Sequence, residues 1–280
     1  MTDLVMRAGT ETAAIVPEVW SAKFYDVLEA KLPFVDSVSR DYEGEIKALG
    51  DTVRISTIPE FGAAGSLAED EVASADAVTI TSQSLVINTR LYKDFIFTDL
   101  AKMQSLEFMD KVRDKAVYSL KKQLEALLVA ATVPSAATPD HQISFDSGTT
   151  LALADLLEAK ELLDGQDVEE EGRKLVCGVA QLNDLFTISG FTSKDFIGGS
   201  NPLVSGKISE LAVGFEVKSS SELGNVAYCF HPSYMTMAMQ SGVNINVYDL
   251  GSQGKRAYRV NCDMLLGIKQ LDNKRVVGLS

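Results

Sequence analysis

The sequence has few of the residues on which enzyme and metal sites depend. Its 280 residues include only two histidines, three cysteines and one tryptophan. Cys177, Cys229 and Cys262 lie far apart, form no CxxC pair and have apolar neighbours, which predicts buried free thiols. His141 and His231 have no second ligand at metal-binding spacing. The sequence therefore predicts no catalytic residue, no cofactor and no metal site.

Motifs for phosphate binding and nucleophilic catalysis are also missing. Glycines cluster at 62–65 and 198–199, but neither cluster has the GK[ST] or GxGxxG pattern, and no GxSxG elbow is present. The acidic runs 43–45, 69–71 and 169–171 fall in polar segments, which predicts solvated carboxylates rather than catalytic ones. A soluble α/β enzyme whose site has no sequence signature stays open as an alternative.

The chain lacks both a basic excess and a long apolar run. Its formal net charge is −13, whereas nucleic-acid binders carry a basic face that neutralises phosphates. No window reaches the ~18 consecutive apolar residues of a membrane span, and residues 1–10 lack the pattern of a signal peptide. We therefore expect no membrane partner and a cytoplasm-like compartment. The hydrophobic content of 46% is typical of a globular protein.

Two segments show the spacing of amphipathic helices. Between residues 105 and 131 apolar side chains recur at steps of three and four, which predicts a helix about 40 Å long. Its charged residues, including Glu125, are expected on a solvated face. The shorter stretch 11–32 holds Trp20 and ends before Pro33. A helix this short must dock on something, and the sequence leaves open whether that is its own subunit or a neighbour.

A long ribbon is predicted between these two helices. Residues 51–58 and 78–91 have the β-branched content of strands. The small and acidic residues that connect them, 61–77, form a connection too long for a tight hairpin. Because an isolated two-stranded ribbon is marginal in water, we expect it to pack on its own subunit or to lie across another one. A surface loop without a partner is the alternative.

Beyond residue 140 predicted helices and strands alternate, which favours an α/β lobe. A Gly/Ser loop is expected at 190–206. Helices are predicted at 150–163, at 180–188 and from His231–Pro232 through Met239, and strands at 174–179, 214–219, 226–230, 245–248, 257–260 and 275–279.

Three motifs near the N-terminus resemble one family. They are IVPEVW from Ile15 to Trp20, RDYEGEI from Arg40 to Ile46, and GDTVRI from Gly50 to Ile55. With the order of elements, they resemble the Hong Kong 97-like fold of tailed-bacteriophage major capsid proteins, in the family related to the coat protein of phage P-twenty-two. A looser likeness covers 206–221 and 226–240. The resemblance implies an α+β fold with an N-terminal arm, an extended β-ribbon loop, a peripheral domain with a long spine helix, and an axial α/β domain.

The resemblance implies a place for each part of the chain. Residues 1–50 would form the N-terminal arm and 51–91 the extended loop, lying over the adjacent subunit. Residues 92–145 with 244–280 would form the peripheral domain, and 146–243 the axial domain. The implied function is structural: self-assembly into the hexamers and pentamers of an icosahedral shell that encloses the phage double-stranded DNA genome. The implied location is the virion capsid, assembled in the host bacterial cytoplasm.

The resemblance also implies partners. These are further copies of the chain, a scaffolding protein, a portal and in some relatives a decoration protein, with loose contact to the packaged DNA. Residues 55–90 contain no lysine, so we expect no covalent cross-link from a loop lysine. The chain has no room for a cleaved scaffolding segment or an inserted domain, so a separate scaffolding protein is expected. Candidate intersubunit contacts are Trp20, Arg40, Tyr42, Arg54, Phe61, Leu67, Glu69, Asp70 and Glu71.

Two further assemblies remain open at this point. An encapsulin-like nanocompartment uses the same fold to enclose an enzyme, and genes beside a terminase and portal would argue against it. A phage-tail or baseplate protein would form rings or tubes rather than closed shells.

Overall fold

The computed structural model describes residues 32–42, 52–58, 77–98, 106–145, 150–188, 211–250 and 256–280, with a few isolated residues between them. Two elements predicted from the sequence, the helix before Leu32 and the loop 190–206, lie outside the described residues.

A single long helix is the main element in the first half of the described chain. Helix α1 spans Leu106–Ala131, so the predicted helix at 105–131 is confirmed. Its buried residues Ala116, Leu120, Leu124 and Leu128 recur every four positions and form one stripe. Such a stripe faces a single partner surface along much of the helix.

That partner surface is a three-stranded antiparallel sheet. Its strands are β3 (Thr89–Thr98), β10 (Ala257–Gln270) and β9 (Met235–Asp249), with β10 in the centre. Every second residue of β10, from Val260 to Leu266, points into a core shared with α1. The helix and the sheet therefore form one packed layer pair.

A six-stranded mixed sheet forms the second core. Its strands follow the order β4 (Gln142–Ile143), β11 (Val276–Leu279), β8 (Ala227–Phe230), β5 (Lys174–Gly178), β7 (Phe215–Ser220) and β6 (Leu211–Ala212). Helices α2 (Leu153–Asp164) and α3 (Val179–Thr187) pack on it. Leu156, Leu163, Leu175 and Phe215 are fully buried between these layers. The predicted α/β lobe is confirmed.

The predicted ribbon is present as a separate antiparallel pair. Strand β1 (Thr52–Thr57) pairs with β2 (Thr81–Val86), from Thr52 opposite Val86 to Thr57 opposite Thr81. The single strand predicted at 78–91 is wrong, because the chain leaves the ribbon at Ile87 and Asn88 and enters the three-stranded sheet as β3. A continuous run of β-branched residues gives no sign of such a change of sheet.

The helix predicted from His231–Pro232 through Met239 is also wrong. Only a short 3-10 turn, Pro232–Tyr234, is present, and β9 follows at once. Thr236 to Met239 pair with β10, and Ser39 forms a bridge on the other edge of β9. The Met- and Ala-rich sequence favours a helix locally, but pairing on both edges outweighs a propensity of a few tenths of a kcal/mol per residue.

Sheet membership does not follow the predicted domain boundaries at 145/146 and 243/244. Strands β4 and β11 lie in the six-stranded sheet, and β9 begins eight residues before residue 243. The predicted division into arm, loop, peripheral and axial domains therefore stays a prediction, which we take up below.

Candidate assembly surface

The base of the ribbon packs on its own subunit. Ile55, Leu85 and Ile87 are buried and form a small core with Ala238 of β9. A side-chain N–H of Gln83 donates to the carbonyl oxygen of Leu271 at 3.0 Å. One of the two alternatives for the ribbon, packing on its own body, therefore holds for its base.

Close contact between the ribbon base and β10 depends on a glycine. A Cβ atom at Gly267 would lie 2.4 Å from the carbonyl oxygen of Val86, which is well inside the contact distance of a carbon and an oxygen atom. Only glycine lets the two backbones come this near. The close contact between the backbones of Gly267 and Val86 thus helps to fix the direction in which the ribbon leaves the rest of the subunit.

The outer end of the ribbon is apolar and exposed. Ile58, which follows β1, is 61% exposed, and Ile80, which precedes β2, is 64% exposed. Both flank the last ribbon pair, Thr57 and Thr81, and Val78 is exposed beside them. Among the described residues none covers these side chains. An apolar cluster at the end of a projecting ribbon is typical of an interaction surface.

The outer face of the three-stranded sheet, opposite α1, combines ion pairs with exposed apolar groups. Arg90 contacts Asp263 at 2.6 Å, and Arg259 pairs with Asp94. The hydrogen bond from Arg259 holds the pKa of the Asp94 carboxyl below its ordinary value. The exposed apolar side chains on this face are Tyr92, Ile96 and Tyr248. This mixture of aromatic groups and arginine is enriched at protein interfaces.

Strand β9 is an edge strand with two unlike halves. The N–H of Met237 donates to the carbonyl oxygen of Ser39 at 3.0 Å, so the segment around Ser39 covers the first half. In the second half, Val247 and Tyr248 are about half exposed. Within the described ranges no strand pairs with this second half on its outer edge. Open edges of this kind readily accept further strands.

A buried carboxylate joins three parts of the subunit. Glu125 of α1 is fully buried and accepts hydrogen bonds from the N–H groups of Phe34 (3.3 Å) and Val35 (3.2 Å) and from the hydroxyl of Ser220 (3.2 Å). Burial raises the pKa of this carboxyl above its ordinary value, although the three hydrogen bonds oppose the rise. The prediction that Glu125 lies on a solvated face is wrong.

The three thiols are buried and free, as predicted. Burial raises the pKa of Cys177 to about 12 and that of Cys229 further still. A thiol with such a pKa holds almost no thiolate at neutral pH, and the thiolate is the reactive form. These residues act as small core side chains.

The histidines have structural contacts. His141 is fully buried, with Nδ1 3.2 Å from the carbonyl oxygen of Val276. His231 caps the 3-10 turn by accepting a hydrogen bond from the N–H of Ser233. The Ser233 hydroxyl lies 2.7 Å from His231 Nδ1 and also accepts from Arg275 at 2.8 Å. No cluster of three metal-binding side chains occurs among the described residues.

The predicted intersubunit contacts fall into three groups. Arg40, Arg54 and Glu69 are exposed, while Tyr42 packs against the small core at the ribbon base. Arg40 donates to the carbonyl oxygen of Val35 at 3.2 Å. The remaining candidates, Trp20, Phe61, Leu67, Asp70 and Glu71, lie outside the described residues.

Sequence reasoning missed the apolar residues at the outer end of the ribbon and on the sheet face. Ile58 and Ile80 lie within or beside predicted strands, where a β-branched residue is read as core. The signal that could have found them is their position in the sequence, because Ile58 directly precedes Pro59 and Ile80 closely follows the small-residue connection. In the described part of the chain, no helix is long and apolar enough to cross a membrane.

A long helix crossed on a three-stranded sheet, a six-stranded lobe and a projecting ribbon together define the Hong Kong 97-like capsid fold. A family model described as "Phage capsid protein" matches residues 107–280, more than half of the chain. The chain belongs to this family of phage capsid proteins. It is a structural protein, a major capsid protein located in the capsid of the virion, and the encapsulin alternative is not favoured.

Solved phage structures have the same fold. A chain from Mycobacterium phage Che8 matches with a TM-score of 0.77 at 21% identity, covering 95% of this chain and 97% of that chain. The capsid of cyanophage P-SCSP1u matches with a TM-score of 0.74 at 12% identity, covering 99% and 96%. The capsid of cyanophage Pam1 gives 0.72 at 13% identity, covering 100% and 98%. No curated protein matches the chain.

Proposed function

We propose that copies of this chain assemble into the hexamers and pentamers of an icosahedral shell that encloses double-stranded DNA. In this proposal the ribbon of one subunit lies across the adjacent subunit, so that its outer end is buried only in the shell. The observation that carries the proposal is the pair Ile58 and Ile80, both more than half exposed at the end of the ribbon. Burying one such side chain stabilises a contact by roughly 1.5–3 kcal/mol.

The outer face of the three-stranded sheet offers a suitable surface for the ribbon of a neighbour. Tyr92, Ile96 and Tyr248 provide apolar area, and the neutralised pairs Arg90–Asp263 and Arg259–Asp94 leave few unpaired charges. Covering such a surface with an apolar ribbon end costs less free energy than covering unpaired charges, because a charge that is buried without a partner loses its hydration.

The proposal includes the predicted domains, although the six-stranded sheet takes strands β4 and β11 from outside residues 146–243. We propose residues 1–50 as the arm, 51–91 as the extended loop, 92–145 with 244–280 as the peripheral domain and 146–243 as the axial domain. The exposed candidates Arg40, Arg54 and Glu69, together with Tyr42, Trp20, Phe61, Leu67, Asp70 and Glu71, are proposed as contacts between subunits. The core of the six-stranded sheet with α2 and α3 supports a separate axial body.

The proposed partners follow from a shell that encloses DNA. They are a separate scaffolding protein, a portal and in addition a decoration protein, and assembly takes place in the host bacterial cytoplasm. The net charge of −13 supports only loose, non-specific contact with the packaged DNA.

Electron microscopy of the purified protein, co-expressed with its neighbouring genes, tests the proposal beside analytical ultracentrifugation. We expect closed shells of uniform diameter. A clean monomer or dimer without particles, even with the scaffolding partner present, would contradict the proposal.

A matched pair of variants tests the ribbon itself. Ile80→Asp places a charge at the outer end of the ribbon, and Val133→Asp places one at an equally exposed valine beyond the end of α1. Both subunits should fold, because neither side chain is buried, but only Ile80→Asp should lose shells. Normal shell yield from Ile80→Asp would exclude the ribbon end as a contact.

A further inference from the structure

An open groove of about 700 Å³ lies between α1, the β9–β10 pair and the segment 32–42. Its floor is apolar: Leu124 and Val117 come from α1, Met239 and Val243 from β9, and Met264 from β10. Val117, Met239 and Val243 are only half-buried, so part of their apolar surface faces the groove. A groove with this floor favours an apolar occupant.

The rim of the groove carries both signs of charge. Asp114 and Lys121 of α1 line one side, and Asp36 and Arg40 line the other. All four side chains are exposed. An occupant that fits this rim has an apolar face and alternating charges on its flanks, which is the pattern of an amphipathic helix.

One end of the groove is fixed at the point where the described chain begins. Leu32 and Leu124 both line the groove. The N–H groups of Phe34 and Val35 donate to Glu125 of α1. The backbone just after Leu32 is therefore anchored to the spine helix, and the residues before Leu32 start at the groove.

We propose that residues 15–31 of the same copy pack along α1 in the free subunit as an amphipathic helix, with residues 22–31 in this groove. The sequence predicts such a helix, with Trp20, Phe24, Val27 and Leu28 on its apolar face. Sequence alone left open whether this segment docks on its own subunit or on a neighbour, and the position of Leu32 favours its own. The inference does not depend on the proposed shell.

The anchor also determines the direction and register of the proposed helix. The groove residues of α1, from Leu124 back to Asp114, all lie on the N-terminal side of Glu125. The segment must therefore run parallel to α1, because it ends at the anchor. With equal rise in both helices, Glu29 lies near the level of Lys121, and Lys23 lies near Asp114. Both pairs have opposite charges.

The only tryptophan of the chain reports on this docking. In the full-length free subunit we expect Trp20 emission typical of an apolar environment. Val243→Asp places a charge on the groove floor, so it should shift the emission towards that of tryptophan in water. It should also speed tryptic cleavage after Lys23 and Lys31 by about tenfold or more, since losing one buried valine contact costs at least a factor of ten.

Asn246→Asp is the matched control. It introduces the same charge in the same strand but on the face of the sheet away from α1, and Asn246 is exposed. Its emission and cleavage rate should equal those of the unsubstituted chain. Equal behaviour of Val243→Asp and Asn246→Asp would overturn the inference.

Cross-linking identifies the copy that supplies the helix and needs no substitution. A carbodiimide should join Lys23 to Asp114 and Glu29 to Lys121 in the free subunit. In a mixture of unlabelled and ¹⁵N-labelled subunits, the linked peptides should carry a single isotope. Mixed-isotope pairs, or the absence of both links, would overturn the assignment to the same copy. Shells seen by electron microscopy would leave either result unaffected, so the two proposals fail separately.

Discussion

The two halves of strand β9 differ strongly in burial. From Met235 to Ala238 every side chain is buried, whereas from Asn244 to Asp249 every side chain is exposed. Both halves pair with the same central strand β10. Pairing with β10 is thus common to both halves, and the difference lies in what else covers the strand.

The first half is covered on its edge and on both faces. The segment around Ser39 lies along its edge, and Met235 and Met237 belong to the core that α1 and Phe34 complete. Ala238, on the other face, belongs to the small core at the ribbon base. The second half extends beyond these elements. It alternates Val243, Asn244, Ile245, Asn246 and Val247, a pattern suited to a strand with one buried face. The comparison shows that the described elements of the chain leave one strand surface uncovered, namely residues 244–249 of β9.

The largest expected effect separates the two halves directly. Met237→Ala removes a fully buried side chain and should lower the free energy of unfolding of the subunit by about 2–5 kcal/mol. Val247→Ala, in the exposed half, should change it by less than about 0.5 kcal/mol. Chemical denaturation of the free subunits measures both. Similar losses for the two variants would mean that the second half is also covered in the subunit.

A pair of glycines extends the comparison to the backbone. Gly267→Ala should lower the free energy of unfolding by about 1–3 kcal/mol, because its Cβ would meet the Val86 carbonyl at 2.4 Å and displace the ribbon base. Gly242→Ala, in the open half of β9, has nothing within 4 Å of its Cβ and should stay within about 0.5 kcal/mol. Denaturation curves and hydrogen exchange of β2 test both. Unchanged exchange in Gly267→Ala would contradict the close approach.

The pH dependence of stability should report on Glu125, which anchors the backbone of Phe34 and Val35 to α1. Its folded pKa is raised, so the folded state binds the proton more tightly than the unfolded state does. The free energy of unfolding therefore contains a contribution that is full below the ordinary pKa of 4.5 and is lost as pH rises through the raised value.

Glu125→Gln should lack this contribution. The difference between the denaturation curves of the two chains should change above pH 4.5 and level off once Glu125 is ionised. A difference that is independent of pH would show that Glu125 does not titrate in this range.

The smallest effect is expected on the exposed face of the same sheet. Arg259→Met removes the partner of Asp94, so the pKa of Asp94 should rise towards its ordinary value, as NMR titration of the carboxyl can show. The pair lies at the sheet surface, with Arg259 half exposed and Asp94 partly exposed, so stability should change little at physiological salt. A clear loss of stability would mean that this face is structurally more important than its exposure indicates.

The sequence predicted best where one period dominates. The stripe along α1 repeats over seven turns, so its bounds were correct to one residue. The helices α2 and α3 and the strands β5, β7 and β8 were found within a few residues, because each is short, locally consistent and bounded by turn residues. Sequence prediction was wrong where contacts from distant residues decide, as at Thr236 to Met239, which pair with β10 on one edge and adjoin Ser39 on the other.

The candidate surface was less accessible to sequence reasoning than the fold. Arg54 and Glu69 were singled out and are exposed, but Ile58, Ile80 and Tyr92 were not. The sequence does not distinguish an exposed isoleucine from a buried one. Only the arrangement of the surrounding elements shows which of them has a partner.

Some properties were determined by the sequence itself. The acidic charge, the absence of catalytic and metal-binding patterns, the long helix and the family motifs are local or compositional, so they can be read without coordinates. The tertiary structure decided the rest: Glu125 is buried by a turn ninety residues away in the chain, β9 is half covered, and the ribbon base packs on a glycine of β10. The physical reason is that burial belongs to pairs of surfaces, and which surfaces meet depends on contacts between residues far apart in the sequence.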